Sequence, residues 1–169
     1  MLALSAGLGA MGVLGPVASA LGSRSREATV KAALMFNFGR FIAWPAGVFE
    51  SDDTPIIVGF YRETEIATAL AAGTKGKLAN GRALRLVQLN TPADAARCQM
   101  AYAGESETDM AGVTADKPVV SVSADGNFLG AGGLIRLYTE GGKVKFNINQ
   151  PQAGKVGLAV SPKLLKLAS

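Results

Sequence analysis

Apolar positions along this chain recur with two different periods, and the switches between them mark out its elements. From Val30 to Ile42 the spacing is helical: Val30, Leu34, Phe38 and Phe41 form a stripe, Met35 and Ile42 widen it, and Phe36 falls on the far side with Arg40. Ser23 or Ser25 caps this helix, which is expected to run to about Ala43, because Pro45 pushes Trp44 out of the helical region. Residues 55–61 form a short β-branched run behind the polar residues 51–54 and read as a buried strand. Residues 64–72 read as a short helix with Ile66, Ala69 and Leu70 on one side, closed by Gly73. After an Asn80-Gly81 turn, residues 82–89 alternate in the manner of a strand near a sheet edge.

Thr91 followed by Pro92 opens one or two helical turns ending at Arg97. Residues 98–103 read as a third strand, 105–115 as a modest helix and 118–122 as a fourth strand, stopped by Asp125-Gly126. Strands alternating with helices imply crossover connections and parallel pairing. The last third differs. Residues 134–140, Gly141-Gly142 and 143–149 have the form of a hairpin that pairs Glu140 with Lys143, Tyr138 with Lys145 and Arg136 with Asn147. That register places Ile135, Leu137, Val144, Phe146 and Ile148 on the opposite face, and a slip by one residue would bury Arg136 and Lys145 instead. A helix over 161–168, capped by Ser161 with Pro162 at its first position, ends the chain. The expected fold is a single α/β domain over 23–169: a mixed, mostly parallel sheet of about six strands flanked by helices, ending in an antiparallel hairpin and a C-terminal helix.

Composition narrows the function. The 169 residues are 49% hydrophobic and 18% charged, enough for one ordinary core, and the formal charge of +4 is scattered along the chain, so no nucleic-acid partner is expected. The sequence has no histidine, which removes the commonest general base and zinc ligand and every Ser-His or Cys-His arrangement. Neither a metal nor a cofactor is expected. The single Cys98 reads as a small apolar residue inside a strand. Residues 2–22 carry no charge, and Ala18-Ser19-Ala20 supplies a small-x-small pattern, so residues 1–22 read as an export leader cut near Ala20. The lack of Lys or Arg ahead of the apolar run departs from that pattern, and an uncleaved anchor or a cytoplasmic tail are the alternatives. No other window approaches the length of a membrane span, so a soluble periplasmic product without an integral membrane segment is expected.

Five aromatic residues, Phe36, Phe38, Phe41, Trp44 and Phe49, crowd one stretch of a chain that holds only seven Phe, three Tyr and one Trp. One helical face can serve the core. The other, with Phe36, Asn37, Arg40 and Trp44, is left to meet another layer of the fold or a partner. On the hairpin, Arg136, Tyr138, Lys143, Lys145, Asn147 and Asn149 share one side, either as a wet sheet face or as a cationic wall for a carboxylate ligand. The glycine-rich residues 126–133 lead into a strand and not a helix, so they read as a turn and not as a phosphate loop. Asp52, Asp53, Glu105, Glu107 and Asp109 form close carboxylate clusters, and no catalytic role is assigned to them.

Three blocks together resemble a known family. Residues 31–45, with Lys31-Ala32-Ala33, the Asn37-Phe38 pair and Trp44-Pro45, resemble the opening helix of the YfiR-like periplasmic proteins; residues 130–149 resemble their glycine-led hairpin and 157–168 their closing helix. The resemblance spans residues 27–168 in the right order. It implies a periplasmic α/β domain, often dimeric, with no catalytic activity, whose best-known members bind the periplasmic sensing domain of a membrane diguanylate cyclase and hold it inactive. It also implies small aromatic metabolites as ligands of some members. By position, Phe36, Asn37, Phe38, Arg40, Trp44 and Pro45 match the aromatic helix, and residues 145–149 the hairpin motif. Members commonly use disulfides, yet only Cys98 stands here, which leaves cross-linking of two chains as the one thiol switch if it is exposed. The expected function is repression of an inner-membrane sensor, a diguanylate cyclase or a histidine kinase, through Phe36, Asn37, Phe38, Arg40 and Trp44. The alternative is a periplasmic protein binding an aromatic or carboxylate metabolite through Arg136, Tyr138, Lys145, Asn147 and Asn149.

Overall fold

In the computed structural model, which describes residues 15–105 and 108–169, the aromatic-rich helix α1 (Gly15–Phe41) gives way at once to a short strand, β1 (Ile42–Ala43). The helix therefore stops short of Ala43. Ile42 and Ala43 are extended because they pair antiparallel with Val160 and Ala159 of a late strand, which the approach to Pro45 also favours. Residues 1–14 of the expected leader lie outside the described residues, and α1 passes through Ala20. Among the described residues no helix is long and apolar enough to cross a membrane.

The remaining elements follow in order: β2 (Ile56–Tyr61), α2 (Glu65–Thr74), β3 (Leu84–Leu89), a 3-10 helix (Pro92–Arg97), β4 (Met100–Ala103), α3 (Asp109–Thr114), β5 (Val120–Ser123), β6 (Ile135–Glu140), β7 (Lys143–Ile148), α4 (Gln150–Lys155), β8 (Ala159–Val160) and α5 (Pro162–Leu165). Six strands make the main sheet in the order β3-β2-β4-β5-β6-β7. The first five run parallel, and β7 returns antiparallel to β6 with Glu140 opposite Lys143, Tyr138 opposite Lys145 and Arg136 opposite Asn147. The α/β class, the mostly parallel sheet, the edge position of β3 and the hairpin register are as the sequence predicts.

Several boundaries move for local reasons. Helix α2 continues through Gly73 to Thr74, whose hydroxyl donates to the Leu70 carbonyl at 2.7 Å; the left-handed break comes at Gly76, with φ of +72°. The turns after Thr91 are 3-10, with the Thr91 N–H donating to the Asp94 carboxylate at 3.0 Å. Cys98 lies between that helix and β4, ahead of the strand and not inside it. The closing helix ends at Leu165 instead of Ala168, and α4 and β8 occupy a stretch with no periodic signal.

The sheet buries both faces. On one, α1, α2 and α5 cover Val58, Phe60, Met100, Val122, Leu137 and Phe146; on the other, the 3-10 helix, α3 and Phe128 cover Tyr61, Ala101 and Ala103. The second layer sits close because the strands offer little bulk there: a Cβ at Gly59 would lie 2.8 Å from both the Cys98 Sγ and a Leu89 methyl.

Candidate functional site

The face that α1 turns to the sheet is not the one its largest side chains suggest. Ala28, Ala32, Met35, Phe38 and Ile42 are buried, whereas Val30 is 46% exposed and Leu34 and Phe41 only half-buried. Small residues decide this. A Cβ on Gly39 would sit 3.4 Å from Ala79 and 3.6 Å from the Met100 methyl, so the helix lies against the sheet along an Ala/Gly seam, with Met35 and Phe38 as its anchors.

Rotating the helix in this way splits the expected docking residues into three groups. Phe38 is fully buried and packs edge to face on Phe146, so it belongs to the core and offers no surface to a partner. Phe36, Asn37 and Arg40 stay together. They line a groove of about 460 Å³ between α1 and the C-terminal half of α2, opposite Gly73, Thr74 and Lys77. The Arg40 guanidinium lies 6.0 Å from the Phe36 ring centroid and 5.2 Å from that of Phe41, which fixes it over aromatic faces while its charge stays in water. The groove combines an apolar floor with the two cations Arg40 and Lys77 at its rim.

Trp44 sits elsewhere, near the amino ends of the strands. Its indole N–H donates to the Gln99 carbonyl at 3.2 Å, and its ring meets Phe49 at 5.7 Å. Two residues that the sequence did not single out complete that corner. Gln99 also accepts, through its side-chain carbonyl, the N–H of Ile57 at 2.9 Å. Arg82 stacks 3.9 Å over Phe49 while donating to the carbonyls of Ser51, Asp52 and Thr54 at 2.7, 3.0 and 2.8 Å. No sequence signal ties Arg82 to that loop, because the partners are distant in the chain.

The hairpin residues also divide. Arg136, Tyr138, Lys145 and Asn147 share one side of β6 and β7, with the Arg136 guanidinium 4.2 Å over the Tyr138 ring. The Arg136 Nε is buried and makes no hydrogen bond among the described residues. Lys145 pairs with Glu140 at 2.6 Å, a contact that holds the Glu140 carboxyl below and the Lys145 ammonium above their ordinary pKa values. Asn147 donates to the Ser169 carbonyl at 2.5 Å. Asn149 departs from the expected wall. It projects beneath the glycine-rich loop, donating to the Leu129 and Gly133 carbonyls at 3.2 and 3.4 Å and capping α4 by accepting from the Gln152 N–H at 3.2 Å. That amide is spent on the fold.

Cys98 is 5% exposed, and burial pushes its thiol pKa up to about 11, so the thiol is neither presented to a second chain nor activated. Asp52, Asp53 and Glu105 are exposed, and Glu107 lies outside the described residues. Among the described residues no group of three or more acidic or Cys side chains converges to hold a metal.

A family model described as YfiR/HmsC-like matches residues 28–169, from the first buried residue of α1 through the hairpin to the last helix. No curated protein matches the chain. Because the match takes in the main sheet and the layers on both its faces, this chain belongs to the YfiR/HmsC-like family of periplasmic regulators.

Proposed function

We propose that this protein, exported and cut near Ala20, docks through the α1–α2 groove on the periplasmic part of an inner-membrane sensor, a diguanylate cyclase, and holds it inactive. The observation that carries the reading is the groove itself. Phe36 and Asn37 are half-buried, so each keeps surface for a partner, and Arg40 and Lys77 at the rim suit a partner segment bearing carboxylates beside an apolar side chain. Family membership supplies the regulatory class, and a chain without histidine suits action by binding better than acid–base chemistry. The protein would shift its partner toward the inactive state by its difference in affinity for the two states, and a signal that weakens docking would release the enzyme.

Capture from a detergent extract of membranes tests this. The parent should retain the cyclase, Arg40→Glu should lose it with an unchanged melting temperature, and cellular cyclic di-GMP should rise in a strain carrying that variant. Undiminished capture by Arg40→Glu together with Phe36→Ala sinks the assignment of the groove; retention of a histidine kinase instead changes the partner and keeps the surface. A second reading rests on the buried, unpartnered Arg136 Nε: the hairpin face takes a carboxylate metabolite. In that case a carboxylate ligand raises the melting temperature of the parent but not of Arg136→Met.

A further inference from the structure

The order of the parallel strands reverses beside β2: the chain passes from β2 to β3 on one side and then to β4 on the other. In open α/β sheets, ligand sites form outside the carboxyl ends of the strands at such a point. Here that position is a cleft of about 260 Å³, smaller than sites for drug-sized ligands, closed on one side by the first half of α1. Its lining is charged. Helix α1 contributes Arg24, Glu27 and Lys31, the turn after β2 contributes Glu63 and Glu65, and Glu105 follows β4, so four carboxylates face two cations.

The two interior charges are already matched to each other, with Lys31 reaching Glu27 at 2.6 Å. Glu63 accepts the Ile66 N–H at 2.9 Å with one oxygen, which fixes that carboxylate at the start of α2. The negative excess therefore falls on Glu63, Glu65 and Glu105, in a protein whose overall charge is +4. Tyr102 gives the independent sign of a ligand. Its side chain is 2% exposed and lines the cleft, and its hydroxyl, which opens on the cleft, makes no hydrogen bond among the described residues. Burial, with the Glu63, Glu105 and Glu27 carboxylates around it, pushes its pKa well above the ordinary phenol range, so the hydroxyl stays neutral and free to accept or donate.

We infer that this cleft binds a small aliphatic diamine, one ammonium held by the Tyr102 hydroxyl with Glu63 and the other reaching Glu65 or Glu105. Spread carboxylates fit a ligand whose charges are separated by methylenes, and among the described residues they do not converge as a metal site requires. The site lies on the strand ends and is independent of the docking groove, so each reading stands or falls alone.

Calorimetric titration of the purified protein with putrescine, and with succinate as the size-matched dianion, tests it. Putrescine should bind with one-to-one stoichiometry and at a Kd of about 1 mM or tighter, and succinate should not bind. Tyr102→Phe and Glu105→Gln should each weaken putrescine about tenfold while melting like the parent, because among the described residues neither side chain makes a hydrogen bond. Absence of putrescine binding up to ~10 mM, equal binding of succinate, or undiminished affinity in both variants overturns the site.

Discussion

Phe38 and Phe146 meet edge to face, their ring centroids 5.2 Å apart and their planes at 67°, and both are buried. The contact ties the aromatic helix to the hairpin, so two sequence blocks far apart in the chain form one packing unit. Aromatic pairs of this geometry add to the gain from burying area. Phe38→Ala removes the ring from a core that cannot close over the hole, and should cost about 3–5 kcal/mol in urea unfolding. Phe36→Ala, at a half-buried position, should cost far less. Equal losses at the two positions would show that the helix does not distinguish a core face from a docking face.

Gly133 precedes β6 under the ring of Phe128, and a Cβ there would lie 2.3 Å from two ring carbons and 2.7 Å from the Phe128 carbonyl. Phe128 is fully buried in the second core layer and cannot swing away cheaply. Gly133→Ala should therefore destabilise by at least ~2 kcal/mol, against a change within about 1 kcal/mol for Gly130→Ala, where the nearest contact is an ordinary 3.5 Å. Thermal denaturation of the two variants side by side checks the difference.

The hairpin was legible because alternation and a two-glycine turn fix its register locally: a slip by one residue would bury Arg136 and Lys145. The orientation of α1 was not, because periodicity weighs large side chains, while the seam is set by Ala28, Ala32 and Gly39, whose value is that they permit close approach. Strands β1 and β8 left no pattern in the sequence, being too short for one and defined only by each other. Alternation carries the strand through Asn149, but the chain leaves β7 at Ile148, and Asn149 is covered by a loop that folds back from 129–133. The cleft below α1 was invisible for the same reason: Glu27, Glu63, Tyr102 and Glu105 converge only once the strand order is known.

Trp44 and Ile57 are held through the same residue, Gln99, by its backbone and side-chain carbonyls respectively. Trp44→Phe keeps most of the ring contact with Phe49 and loses one neutral hydrogen bond, so it should cost about 0.5–1.5 kcal/mol. Gln99→Ala should cost more, about 1–3 kcal/mol, because it strands the Ile57 N–H at the start of β2. Hydrogen exchange at the Ile57 amide distinguishes the two, accelerating in Gln99→Ala and staying near the parent rate in Trp44→Phe. Partner capture that survives Trp44→Phe at full strength would confine docking to the α1–α2 groove.

Cys98 provides the test with a defined sign in pH. Burial first, and the Asp94 carboxylate second, raise its thiol from an ordinary value of 9.0 to about 11, so the folded protein holds the proton more tightly than the unfolded chain does. The resulting stabilisation is complete below pH 9.0 and is lost as the pH climbs through about 11, because unfolding then releases the proton from Cys98. Other groups titrate in the same range, so the measurement is the difference between the parent and Cys98→Ala. The parent should lose stability more steeply across that window, and the two slopes should coincide below it. Native protein should also react slowly with a disulfide reagent at pH 8 and quickly in denaturant. Fast modification of the folded chain, or parallel slopes throughout the alkaline range, would mean that the thiol is accessible after all and would restore a covalent link between two chains as a possible switch.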